Sequence, residues 1–211
     1  MNLETIYAAT LNGEAEAAAA EVQEALEEGI SAEDILKQAC IPAMIKVGEL
    51  FEIGEVFVPE MLIAARAMQA TNDVLRPSQV EADVKVLGKI VMGTVAGDLH
   101  DIGKNLVGMM LAGAGFEIID LGTDVSPQKF VEAVEEHKPD IIGMSALLTT
   151  TMNSISTTLD ALTQAGLRDQ VKVLIGGAPV TQGFADKVGA DGYAADAGSA
   201  IRITKALIEV T

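Results

Sequence analysis

A single cysteine, Cys40, rules out an intramolecular disulfide in this chain of 211 residues. Tryptophan is absent and aromatics make up only 3% of the sequence, so any core must be built from Ala, Val, Ile, Leu and the nine Met. No uninterrupted apolar run approaches the roughly 20 residues that a membrane-spanning helix needs. The polar stretch Met1–Thr10 lacks the basic-then-apolar layout of a secretory signal. With the lone cysteine, this leads to an expectation of a reducing, cytoplasmic setting. Basic residues are scarce: 14 Lys and Arg against 31 Asp and Glu give a formal net charge of −17. Such a charge repels phosphate backbones and anionic lipid, so neither nucleic acid nor a membrane surface is expected as a partner. The acidic run Glu14–Asp34 fits the solvated faces of helices.

Hydrophobic residues nonetheless reach 49%, enough for a sizeable core. The two halves of the chain differ in period. Residues 1 to about 76 read as helices, in the pattern of a small antiparallel bundle. Glu14–Glu28 stops at Gly29, and Ser31 opens a helix with Asp34 placed for a capping box. Ile35, Leu36, Ala39, Cys40, Ala43, Met44 and Val47 recur at helical spacing, so one face, Cys40 included, is expected to be buried. Pro42 inside that run predicts a kink or a break. Pro59 sits where a helix start tolerates it. Arg76–Asp83, with Pro77 and no periodicity, reads as a linker. The division is thus 1–83, helical domain and linker, and 84–211, an α/β domain. From Val84 onward apolar runs (86–95, 116–120, 141–145, 171–175, 192–194) alternate with helical segments (103–114, 126–137, 152–165, 180–188, 197–209). That alternation predicts a doubly wound, five-stranded parallel sheet of flavodoxin or Rossmann type, order 2-1-3-4-5.

In this topology a crevice opens between the first and third strands, and polar or small residues gather on its edge. Asp98 and His100 follow the first strand; Ser145, Thr149, Thr150 and Thr151 follow the third. Gly176-Gly177 follows the fourth, and Asp196-Ala197-Gly198 the fifth. Small residues at successive strand ends imply close approach of something bulky. Phosphate loops are excluded, because neither Gly-x-Gly-x-x-Gly nor a Gly-Lys-Ser/Thr ending is present. A phosphoacceptor site would leave His100 without a role. A nucleophile partner for His100 is not evident, although a proton-transfer role stays open. One histidine is too few for a self-contained zinc site. His137, before Lys138-Pro139, reads as a surface residue at a helix end. A single imidazole does suit a metal whose other ligands come from a macrocycle, with Asp98 hydrogen-bonded to the second ring nitrogen.

Asp98-x-His100-x-x-Gly103, then Ser145-x-Leu147, then Gly176-Gly177, resembles the cobalamin-binding signature of corrinoid proteins. Val47-Gly48-Glu49-Leu50-Phe51, Gly54 and Phe57-Val58-Pro59-Glu60 are similar to the helical cap of methyl-transferring members, so the resemblance covers nearly the whole chain. The domain pair is also similar to the cap and cobalamin-binding domains of cobalamin-dependent methionine synthase. The resemblance implies a cobalamin or related corrinoid bound base-off and histidine-on. His100 is then the lower axial ligand of cobalt, Asp98 bonds His100, and Thr151 stands where a serine completes that relay. The motif residues Leu99, Asp101, Ile102, Gly103 and Leu147 lie against the cofactor. Ser145 and Thr149 contact its nucleotide tail, Gly176, Gly177 and Ala197 wall the pocket, and Phe51, Val58 and Met61 cover the methyl face. The implied function is that of a carrier without catalysis of its own, part of one-carbon metabolism. It accepts a methyl group on Co(I) from a substrate-specific methyltransferase and passes it to a second methyltransferase with a thiol or tetrahydropterin acceptor. A reductive activation protein is a further implied partner. The cobalamin subunit of an isomerase and a cobalamin-based sensor share the signature and remain alternatives.

Overall fold

In the computed structural model, which describes residues 3–82 and 86–209, the first part of the chain is helical as its periodicity predicts. The helices are α1 (Leu3–Leu11), α2 (Ala15–Glu27), α3 (Ala32–Ile35), α4 (Ile41–Glu52) and α5 (Val58–Ala82). Gly29, at φ 88°, closes α2 in a left-handed cap, its amide bonding the Leu26 carbonyl and the Ile30 amide bonding the Ala25 carbonyl. The Ser31 hydroxyl accepts the Asp34 amide at 3.0 Å and caps α3. At the start of α5, Glu60 reaches back to accept the Phe57 amide at 2.8 Å.

Two proline expectations need correction. Pro42 does not break its helix. Proline has no N–H for the Gln38 carbonyl, and the chain absorbs the deficit one turn earlier. Leu36–Cys40 is a π-helical turn, in which the Ile41 amide bonds to the Leu36 carbonyl. Helix therefore runs unbroken from Ala32 to Glu52. The expected linker is also helical as far as Ala82, and Asp83 lies outside the described residues. Pro77 costs α5 one bond, to the Asp73 carbonyl, and a 25-residue helix continues past it.

The chain divides into two units, Met1–Val86 with Ala112–Gly115, and Leu87–Leu111 with Phe116–Thr211. In the first, α2 packs along α5, and α1 against α2 and α4. Ile6, Val22, Ile35, Met44, Met61 and Leu75 are buried there, as is Cys40. Burial pushes the Cys40 thiol up to about 11, against a smaller opposing effect of a bond from Thr71. The thiol is therefore neutral and inert at neutral pH.

The second unit is an all-parallel sheet in the expected order, β2-β1-β3-β4-β5. Its strands are β1 (Lys89–Thr94), β2 (Glu117–Asp120), β3 (Ile141–Ser145), β4 (Lys172–Gly176) and β5 (Gly192–Ala194). The helices between and after them are α6 (Ile102–Gly113), α7 (Pro127–His137), α8 (Asn153–Gln164), α9 (Gln182–Val188) and α10 (Ala197–Glu209). Val91, Ile142, Val173 and Ile175 pack with Phe130, Val134, Ile155, Leu159 and Ala185 of α7, α8 and α9 into one core. Buried on both faces, the inner strands β1, β3 and β4 read as near-continuous apolar runs, while edge strand β2 does not. The register pairs Thr94 with Ser145 and Ser145 with Gly176, which brings three strand ends level at the carboxyl edge. Among the described residues no helix is long and apolar enough to cross a membrane.

Candidate functional site

Where β1 ends, the chain turns through Gly97 at φ 83° and drives Asp98 inward. The Asp98 side chain has no exposed surface, so its charge must be compensated by hydrogen bonds. Both oxygens are engaged. Oδ1 lies 2.7 Å from Nδ1 of His100 and accepts the His100 amide at 3.1 Å. Oδ2 accepts the Thr151 hydroxyl and the Leu147 amide, each at 2.7 Å, and the Leu148 amide at 3.3 Å. Burial alone would push the Asp98 carboxyl up. The bonds from Thr151, Leu147 and the ring and amide of His100 outweigh it and hold the group well below the usual carboxylate range. Thr151 Oγ1 also lies 2.9 Å from the Leu148 carbonyl, but a hydroxyl has one proton and the carboxylate is the stronger acceptor.

An ionised Asp98 fixes the tautomer of His100. The ring proton sits on Nδ1, and Nε2 keeps a free lone pair. The ring is half exposed, at 52%. The geometry therefore presents one oriented, uncommitted nitrogen, which is the arrangement of a metal-binding imidazole with its outer partner in place. Among the described residues no cluster of three or more His, Cys, Asp or Glu is arranged to hold a metal ion. His137 ends α7, 3.9 Å from Glu136, and lies half-buried at the helix terminus.

The surroundings of the ring are apolar. Leu99 is 73% exposed, Ile102 82% and Leu147 42%, and Leu148 is exposed beside it. Large exposed apolar side chains in a group mark a surface built to be covered. Asp101 is exposed and accepts the side chain of Asn105 at 3.1 Å, while a methyl at Gly103 would meet only open space. Thr149 is exposed on the loop after β3, and Ser145 is half-buried. Gly177 has φ 121°, and a Cβ there would lie 1.9 Å from the Ala146 carbonyl oxygen. Only glycine lets the loop after β4 lie against the end of β3. At Gly176 a Cβ would approach the Ala194 carbonyl to 3.0 Å. Ala197, the buried first residue of α10, follows Asp196, which accepts the Ser199 amide at 2.7 Å.

The structure thus joins Asp98, His100, Leu147 and Thr151 directly and places Ser145, Gly176 and Gly177 at the same sheet edge. The first-unit residues differ among themselves. Val58 opens α5 and is exposed, beside exposed Phe57, Leu62 and Ile63; Phe51 is half-buried near the end of α4; Met61 is fully buried.

Several contributors carried no signal in the sequence. Thr94, buried at the end of β1, donates to the His100 carbonyl at 2.9 Å and lies 3.0 Å from Ser145 Oγ. Asp124, at φ 53°, accepts the Gly97 amide at 2.7 Å and donates its own amide to the Asp98 carbonyl. Lys104 is buried and pairs with Asp120 at the end of β2 at 2.5 Å, tying the start of α6 to the sheet. The partners of Asp124 and Lys104 lie many residues away, and the Thr94 bond depends on how the loop after β1 folds back, so no local pattern reveals them.

Residues 88–202 match the B12 binding domain family, and residues 3–76 match a second B12 binding domain family. The chain is 46% identical over 188 residues to trimethylamine corrinoid protein 2 of Methanosarcina acetivorans, covering 88% of this chain and 87% of that protein. A cobalamin-binding protein from Desulfitobacterium hafniense superposes with a TM-score of 0.85 at 35% identity, covering 98% of each chain. The methanol:cobalamin methyltransferase complex of Methanosarcina barkeri contains a chain that superposes with a TM-score of 0.87 at 31% identity, covering 99% of this chain and 80% of that one.

Proposed function

The chain belongs to the B12-binding family of methyltransferase-associated corrinoid proteins, and on that premise we propose that it carries methyl groups between two methyltransferases. The observation that carries this reading is the Asp98–His100 pair, with Nδ1 held at 2.7 Å and Nε2 left free. The residues fit a corrinoid on two counts. One imidazole is oriented outward, and exposed apolar side chains surround it. Bound there, the corrinoid supplies a cobalt centre that takes up and releases a methyl group.

The chain's own residues hold and tune. His100 Nε2 would hold the cobalt of a corrinoid bound base-off and histidine-on. Asp98 keeps the ring proton on Nδ1 and raises the basicity of Nε2, and Thr151 with the Leu147 amide keeps Asp98 ionised. Leu99, Ile102 and Leu147 exclude water from the ligand bond. Ser145, Thr149, Gly176, Gly177 and Ala197 line the slot for the nucleotide tail. The methyl donor partner is a methyltransferase acting on a methylated amine, by likeness to the trimethylamine corrinoid protein. The acceptor partner is a second methyltransferase delivering to a thiol or tetrahydropterin, and a reductive activation protein restores the cofactor, all in the cytoplasm.

The test is spectroscopic. Reconstituted with hydroxocobalamin and reduced by one electron, the protein should show hyperfine splitting from one imidazole nitrogen by electron paramagnetic resonance. His100→Gly should abolish that splitting while cofactor remains bound. Persistence of the nitrogen signal in the variant would remove His100 as the ligand and the reading with it.

A further inference from the structure

Thr94 and Ser145 end neighbouring strands in register, and their hydroxyl oxygens lie 3.0 Å apart. Thr94 has no exposed surface, and its backbone is fully engaged, donating to Gly122 and accepting from Val125. Its hydroxyl is therefore free to act on something else, and it lies 2.9 Å from the His100 carbonyl. A carbonyl can only accept, so the one proton of Thr94 points to His100. The Thr94–Ser145 contact must then use the proton of Ser145. The bonds form a directed chain, from the Ser145 hydroxyl to the Thr94 hydroxyl to the His100 carbonyl.

The remaining polar groups of His100 complete the picture. Its amide and its ring Nδ1 are both held by Asp98, so the Thr94 bond fixes the third group and leaves only Nε2 free. Asp98 fixes how the ring is turned. Thr94 fixes where the backbone that carries the ring stands, relative to a strand that cannot move. We propose that Thr94 is a positioning residue for His100, and that through Thr94 the tail-slot residue Ser145 is coupled to the loop bearing the metal ligand. This rests on the reading of His100 as axial ligand and Ser145 as a tail contact.

Thr94→Val removes the hydroxyl and keeps the β-branched shape, while Thr94→Ser keeps the hydroxyl. The first measurement uses the apo protein, by amide hydrogen exchange. Thr94→Val should speed exchange at His100 by about fivefold or more, the loss of one neutral hydrogen bond, while Val91 and Ile142 stay unchanged and Thr94→Ser matches wild type. The second uses protein loaded with hydroxocobalamin or with cobinamide, which lacks the tail. Free imidazole should displace His100 from Thr94→Val at about fivefold lower concentration than from wild type with either corrinoid. Ser145→Ala should lower the displacing concentration with hydroxocobalamin more than with cobinamide. Equal exchange at His100 in wild type and Thr94→Val overturns the positioning role, and so does equal displacement. Identical Ser145→Ala effects with the two corrinoids overturn the coupling. If wild type itself shows no imidazole nitrogen on cobalt, the reading of His100 as ligand fails, and the apo exchange result still decides the role of Thr94.

Discussion

The two ends of the parallel sheet use carboxylates in the same way and leave opposite surfaces. At the amino end, Asp140 accepts the Lys89 amide at 2.7 Å and Asp191 accepts the Val173 amide at 2.8 Å. Arg168 closes that end, bonding Asp191 at 2.7 Å, the Gly189 carbonyl at 2.6 Å and the Val171 carbonyl at 3.2 Å. The hollow lined there by Lys138, Asp140, Arg168 and Asp191 is polar. At the carboxyl end Asp98 also clamps backbone amides, but it holds an imidazole in addition, and the imidazole ends in a free nitrogen among exposed leucine and isoleucine. Saturated clamps tie strands together. A clamp that leaves one oriented atom unused is built for a ligand.

The sharpest way to break this contrast is Asp98→Ala. It strands the Leu147 amide, the Thr151 hydroxyl and the His100 ring, and should cost about 3 kcal/mol in urea unfolding as well as the histidine ligation. Its pH counterpart has a definite sign. The folded carboxyl is depressed, so its contribution is complete above the unfolded value of about 4 and declines as pH falls below it. Wild type should therefore lose more stability than Asp98→Asn between pH 5 and 3, and parallel curves would refute a buried, ionised Asp98. Gly177→Ala comes next, at about 2–4 kcal/mol by thermal unfolding, because its Cβ meets the Ala146 backbone at a φ that disfavours side chains. Arg168→Ala, at the amino end, should cost about 1–2 kcal/mol and leave corrinoid loading unchanged. A loss of loading would show that the two ends are not functionally separate. Leu99→Ala is the smallest in stability, within about 0.5 kcal/mol, because the side chain is already exposed. Yet it should weaken corrinoid retention severalfold in equilibrium dialysis.

The contrast also explains what could be read in advance. Strand order, the helix faces and the Asp98–His100 spacing follow from local periodicity and from sheet rules. Gly177 was visible as a glycine, but its closeness to Ala146 is a fact of two strands packed side by side. Asp124 and the Lys104–Asp120 pair bring distant segments to the histidine loop, and the Thr94 bond to the His100 carbonyl, though only six residues apart, depends on a loop geometry that periodicity does not reveal. Pro42 and Pro77 misled in the other direction. A proline removes one donor, and a helix held by buried side chains such as Met44 and Leu75 tolerates that loss.

The π-helical turn at Leu36–Cys40 carries a further consequence. A π turn amounts to one inserted residue in an otherwise α-helical run, and it advances the rotational phase of everything after it by roughly 100°. Met44 and Val47, which follow that offset, are buried in the core. Deleting any one residue of Leu36–Cys40 should swing both toward solvent, so the length of this short stretch, more than its composition, sets which face of α4 is inside.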